Sequence, residues 1–202
     1  NPFVSSEKLK IGLQATPSSS LIIIAAEKNL FKEQGLNVET VEFTAGKFAL
    51  QAFLAKQVDF AVVGDVPVVL ALMNGYDFYV LTQTVELTSE NRVVALKDSS
   101  TNASEYFMSK KRKLSTSIGG TPEFYTYNFL NYYNISGSQV EIVAQKPEDM
   151  VAAIVSRSVD AISIFEPYPY IAETKLPNQT VSFTFPSEVY SPLYVLTANK
   201  EW

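Results

Sequence analysis

Two acidic residues stand where a strand gives way to a helix. The stretch FEPYPY (Phe165 to Tyr170) follows the apolar run Ala161-Ile162-Ser163-Ile164. Proline is tolerated in a first helical turn because its missing N–H would have gone unpaired there. Pro167 is therefore read as opening a helix, with Glu166 at the corner. Asp65 holds the same place after the run VDFAVV (Val58 to Val63). The carboxyl ends of strands are where open α/β sheets keep their ligands. A carboxylate there accepts hydrogen bonds from an amino group or ring N–H. The helix N-termini at such corners present unpaired N–H groups and a partial positive charge, which receive polar and anionic groups. Binding is the chemistry these residues favour.

Catalysis is disfavoured by what the chain omits. Its 202 residues include no Cys and no His. That removes thiol nucleophiles, Ser-His-Asp triads and the usual zinc and haem ligands. A glycosidase pair built on Asp65 and Glu166 would need a set separation, and nothing in the sequence fixes one. No enzymatic activity, cofactor or metal is expected.

Composition narrows the class further. Hydrophobic residues make up 47% and charged residues 18%, a globular balance. A net charge of −5 disfavours nucleic acid and anionic membrane as partners. The run KKRK (Lys110 to Lys113) is read as a solvated turn before a strand rather than a nuclear signal. No run approaches the ~20 apolar residues that span a bilayer. The chain opens on Asn1-Pro2, so any leader is expected to have been removed.

The elements that must position the corners alternate along the chain. LKIGLQ (Leu9 to Gln14), NVETVEF, VDFAVV, FYVLTQ and NRVVALK read as strands; LIIIAAEKNLFKEQ, KFALQAFLAKQ and Pro67 to Met73 read as helices. From about Ser99 the pattern restarts with strand LSTSI, helix EFYTYNFLNYYN, strand QVEIVA, helix KPEDMVAAIVS and strand VDAISI. A last strand, LYVLTA, covers Leu193 to Ala198. This βαβ order predicts mostly parallel sheets flanked by helices. The halves also match each other: AKQVDFAVVGDVP (Ala55 to Pro67) aligns without a gap on SRSVDAISIFEPY (Ser156 to Tyr168), and LQATP (Leu13 to Pro17) aligns on IGGTP (Ile118 to Pro122). Two similar α/β lobes are expected, residues 1–96 plus 190–202 forming the first and 97–189 the second.

These segments resemble a known family. GKFALQAFLAKQVDFAVVGDVPVVLALMNG resembles the first-lobe segment of solute-binding proteins for nitrate, sulfonates, taurine and thiamine pyrimidine precursors. SIGGTPEFYTYNFL and PEDMVAAIVSRSVDAISIFEPY resemble the corresponding second-lobe segments. The resemblance runs from about Leu9 to Trp202. It implies a type II periplasmic-binding-protein fold, with two lobes joined by two crossover strands. Family members usually continue with further helices packed on the first lobe, so a shortened version of the family chain is one reading of an end at Glu201-Trp202.

The family's ligand contacts map onto Thr16, Ser18 and Ser19 after the first strand, and onto Gly46, Lys47, Gly64 and Asp65. In the second lobe they map onto Gly120, Thr121 and Glu166. Gly46, Gly64 and Gly120 let backbone approach a ligand, and the hydroxyls donate or accept. Structural roles stand beside these. Ser18, Ser19, Thr121 and Asp65 equally suit helix caps, and Lys47 suits a solvated face. Tyr125, Tyr127, Tyr132 and Tyr133 suit packing along one helix.

The resemblance implies the substrate-binding component of an ABC importer, holding a small polar solute of sulfonate, nitrate or aminopyrimidine type between its lobes by hinge closure. A ligand-sensing ectodomain of the same fold is the alternative. The expected partners are that solute and a membrane permease, with no nucleic acid. A monomer is expected, in the periplasm or otherwise outside the cytoplasm, with a lipid anchor as one possibility. Yeast-type pyrimidine synthases share the fold, but their chemistry relies on histidine and iron-binding cysteines that this chain lacks.

Overall fold

Short apolar runs punctuated by turn residues become strands, and runs with helical periodicity pack between them. The computed structural model describes residues 7–200. In chain order the elements are β1 (Lys8–Gln14), α1 (Ser20–Glu27), α2 (Leu30–Glu33), β2 (Asn37–Phe43), α3 (Gly46–Leu54), β3 (Phe60–Gly64), α4 (Asp65–Met73), β4 (Tyr79–Glu86) and β5 (Asn91–Leu96). There follow α5 (Ala103–Met108), β6 (Arg112–Thr116), α6 (Thr121–Tyr132), β7 (Val140–Ala144), α7 (Pro147–Val155), β8 (Ala161–Phe165), α8 (Tyr168–Lys175), β9 (Thr180–Phe183) and β10 (Leu193–Ala198). Short 3-10 turns cover Pro17–Ser19 and Gly137–Gln139.

The chain divides into two compact units. One runs to Leu87 and resumes at Pro192; the other is Thr88–Ser191. In the first, the sheet order is β2-β1-β3-β10-β4; in the second it is β7-β6-β8-β5-β9. In the first sheet β10 alone runs against the other strands, and in the second β5 does. Each sheet is thus mostly parallel, with one antiparallel strand in the same place. β5 was expected to close the first lobe, which was drawn to residue 96. It instead pairs with β8 and β9, so the second unit begins at Thr88 and extends to Ser191.

Strand alternation builds a core on each side of the first sheet. Val63 faces Ala49, Leu50 and Phe53 of α3, whereas Val62 joins Ile11 and Leu13 beneath Ile22 and Ile23 of α1. In the second unit Val93, Leu114 and Ala161 pack under Tyr106, Phe107 and Phe129, with Phe183 closing the cluster. Edge-on contacts between Phe107 and both Tyr106 and Phe129 fix the rings against one another.

The internal match has a physical counterpart. Asp59 accepts from the Lys10 N–H at 2.7 Å while its own N–H donates to the Lys10 carbonyl. Asp160 repeats this with Lys113, at 2.8 Å. Val58 and Val159, one residue earlier, are both buried. Asn29 and Asn134 are both left-handed, with φ of 59° and 52°, as are Lys56 and Arg157, with φ of 57° and 61°.

Local expectations needed revision where a single residue overrides periodicity. The helix expected over LIIIAAEKNLFKEQ is broken into α1 and α2 by left-handed Asn29. KKRK is not all solvated turn. Arg112 lies in β6, is only 4% exposed, bonds Asp98 and stacks 3.9 Å over the Tyr106 ring. Pro167 precedes α8 as its cap residue, joined to Glu166 by a cis peptide bond, and the helix begins at Tyr168. Among the described residues no helix is long and apolar enough to cross a membrane.

Candidate functional site

The carboxyl edge of the first unit's sheet begins where β1 ends. Pro17 turns the chain into Pro17–Ser19, which leads straight into α1. Thr16 Oγ1 lies 2.7 Å from Ser18 Oγ. Ser18 and Ser19 are 2% and 1% exposed, yet neither Thr16 nor Ser19 makes a side-chain cap bond at the helix start it precedes. Ser19 Oγ is buried with no hydrogen-bond partner among the described residues. Buried hydroxyls are normally paired, so this one stands out.

Next along the edge, the Gly46 N–H opens α3 and donates to Gln14 Oε1 at 3.0 Å. Gln14 is buried at the end of β1, and sequence reading overlooked it. A Cβ on Gly46 would meet Val62 O and Val63 Cα at 3.6 Å, so this glycine lies against the backbone of β3. Lys47 places its ammonium 5.2 Å from the Phe48 ring centroid. Gly64 is buried as the residue before α4. Asp65 accepts from the Val66 N–H at 2.8 Å, which places its carboxylate on the start of its own helix.

In the second unit the loop after β6 leads into α6. Gly119, with φ of 76°, needs the left-handed freedom; its neighbour Gly120 is buried in an extended conformation. Thr121 is buried at the first position of α6, directly after Gly120 as the residue that precedes the helix. Capping falls to Glu123, whose Oε2 accepts from the Gly119 N–H at 2.7 Å. Behind the loop, Thr126 Oγ1 lies within hydrogen-bond distance of Thr116 Oγ1, Ser163 Oγ and the Pro122 carbonyl.

Glu166 has a partner that no local pattern announces. Its Oε1 accepts from Arg92 Nε at 2.9 Å and from Nη2 at 2.6 Å. The same guanidinium reaches Glu173 on α8, at 2.9 and 3.1 Å, and Glu173 also accepts from Ser182. Burial would push the Arg92 pKa down, but its bonds to Glu173 and Glu166 outweigh this and raise it. Burial likewise pushes Glu173 up, and Arg92 with Ser182 pulls it below the ordinary carboxylate value. β5 thus brings an arginine to this corner. Asn91, one residue earlier, is 3% exposed, with neither amide atom partnered among the described residues.

The edges therefore collect Thr16, Ser18, Ser19, Gly46, Gly64 and Asp65 in one unit, and Gly120, Thr121 and Glu166 in the other. They offer buried hydroxyls, an amide and helix N-termini, which suit reversible binding. Among the described residues no cluster of three metal-ligating side chains occurs.

This architecture is the periplasmic-binding-protein fold. The periplasmic aliphatic sulphonate binding protein SsuA from Escherichia coli superposes with a TM-score of 0.78 at 21% identity, over 98% of this chain and 63% of that one. The periplasmic nitrate-binding protein NrtA from Synechocystis gives 0.73 at 15% identity, over 96% and 56%. The chain itself belongs to the NMT1-like family, whose model matches residues 4–202. It is also 27% identical over 198 residues to a Bacillus subtilis protein named for binding aliphatic sulfonates, covering 96% of this chain and 58% of that protein. The chain thus spans less than two thirds of the length of these relatives.

Proposed function

We propose that this chain is the solute-binding part of an ABC import system and captures a small organic sulfonate outside the cytoplasm. Family membership and the likeness to sulfonate-binding proteins support the class of function. The observation within the chain that carries it is Ser19 Oγ, buried at the carboxyl edge of β1 with no partner among the described residues. A hydroxyl there donates to an anionic oxygen, and the start of α1 adds favourable potential.

A sulfonate fits better than a bare inorganic anion. Arg92 lies close to the second edge, but Glu166 and Glu173 already match its charge. Recognition then rests on neutral donors and on contacts to the rest of an organic solute. Hand-over to a membrane permease completes the reading; Thr16, Ser18, Gly46, Lys47, Gly64, Asp65, Gly120, Thr121 and Glu166 remain proposed contacts.

Native mass spectrometry of gently purified protein tests this. The expected result is a bound small acid that exchanges for added ethanesulfonate. Protein that neither carries nor takes up any sulfonate contradicts it.

A further inference from the structure

The run KKRK (Lys110 to Lys113) leads into the amino end of β6, at the opposite edge of the second sheet from Glu166. Hydrogen bonds gather other cations around it. The Asp160 N–H donates to the Lys113 carbonyl, and the Leu96 N–H donates to the Asp160 carbonyl, which brings Lys97 alongside. The Lys97 N–H in turn donates to the Gln179 carbonyl, and Gln179 Oε1 accepts from Arg157 Nη2 at 3.0 Å. Lys175 ends α8 just before Leu176, whose carbonyl accepts from the Gln179 N–H.

Lys97, Lys110, Lys111, Lys113, Arg157 and Lys175 are therefore neighbours at one end of the unit, and all are exposed. None of the five lysines forms an ion pair among the described residues. Of the acids nearby, Asp98 and Asp160 flank Arg112, Glu105 accepts from the Thr101 N–H, and Glu141 lies across from Lys113 on β7. The cations outnumber them. Two exposed apolar side chains share these turns. Met108, 44% exposed, ends α5 shortly before Lys110, and Val155, 38% exposed, ends α7 shortly before Arg157.

We propose that this end of the second unit docks on an anionic lipid surface. Lysine ammoniums are mobile point charges without the fixed fork of arginine, so they suit a fluid array of phosphates better than one shaped ligand. Met108 and Val155 stand where apolar side chains enter the headgroup layer between such cations. The net charge of −5 does not oppose this. Acids more than about 8 Å away are screened at physiological salt, and the patch sets the local potential. Docking by this end keeps the carboxyl edge of the same sheet turned away from the lipid.

Co-sedimentation of the full chain with vesicles tests the surface. The chain should pellet at low salt with equal parts phosphatidylglycerol and phosphatidylcholine, and stay in solution with phosphatidylcholine alone. Raising the salt from about 0.1 M to about 0.5 M should release it as the screening length falls. A cation at an anionic surface is worth about fivefold in binding, so Lys110→Ala/Lys111→Ala should lose about twentyfold. Its melting temperature should not change, because both side chains are exposed and neither makes an ion pair among the described residues. Lys28→Ala/Lys32→Ala removes the same net charge from exposed positions of the first unit and should bind like the parent. A parent that ignores the anionic vesicles, or equal losses in the two lysine pairs, overturns the proposal. Undiminished binding to phosphatidylcholine alone overturns it too. Binding to soluble polyglutamate with none to vesicles would make the partner an acidic protein and overturn the lipid assignment.

Discussion

Arg92 grips Glu166 and Glu173 with one guanidinium fork, and the three side chains are each less than a third exposed on the relative scale, at 22%, 26% and 31%. Removing the cation leaves two acidic groups facing each other at reduced solvation. Arg92→Met should therefore cost on the order of 2 kcal/mol in denaturant unfolding, between the values for exposed and buried pairs. The pH dependence has a definite sign. Glu173 has a folded pKa below its unfolded value, so its contribution is present above the ordinary glutamate value of 4.5 and is lost as pH falls through the folded value. The advantage of the parent over Glu173→Gln should hold at pH 7 and shrink as the pH falls below the ordinary glutamate value. An advantage that grows on acidification contradicts this. The corner at Glu166 was legible in FEPYPY because proline marks the strand-to-helix change. Its partner was not, because Arg92 lies 74 residues away and only strand pairing brings it there. Asn91 was hidden for the same reason.

Whole elements were more legible, because hydrophobic period is a local property and the same period is repeated. β10 falls on LYVLTA as read, and β2 on NVETVEF. What escaped were short pieces. β9 has only four residues, Thr180–Phe183, too few for alternation to register. α5 did leave a signal: Asn102 accepts from the Glu105 N–H at 2.9 Å, and the pairing of asparagine with glutamate three residues on announces a helix start. The paired clasps of Asp59 and Asp160 carry a prediction at this scale. Each anchors the turn before its strand to the strand beside it, so Asp59→Ala and Asp160→Ala should each cost about 1 kcal/mol or somewhat more in urea unfolding. Asp160 also lies 3.7 Å from Arg112, so its loss should be the larger. An unchanged unfolding midpoint in either variant would remove the clasp as a stabilising device.

For the molecule as a whole, the strand–helix order repeated in the two halves made the fold class readable from one chain, and the two sheets share one strand order. The exact division was not readable, because β5 looks like its neighbours in sequence and only its hydrogen bonds assign it to the second unit. The central claim is that the folded protein binds an organic sulfonate, and thermal unfolding in a panel of solutes tests it most directly. A solute that binds only the folded protein stabilises it by about 2.7 kcal/mol at a hundredfold excess over its Kd. For a chain of this size that raises the Tm by roughly 5–10 °C. At matched ionic strength, at least one small sulfonate should raise the Tm by this amount, increasing with the logarithm of its concentration, while sulfate and chloride do not. A panel in which no sulfonate moves the transition beyond those inorganic controls would contradict the account.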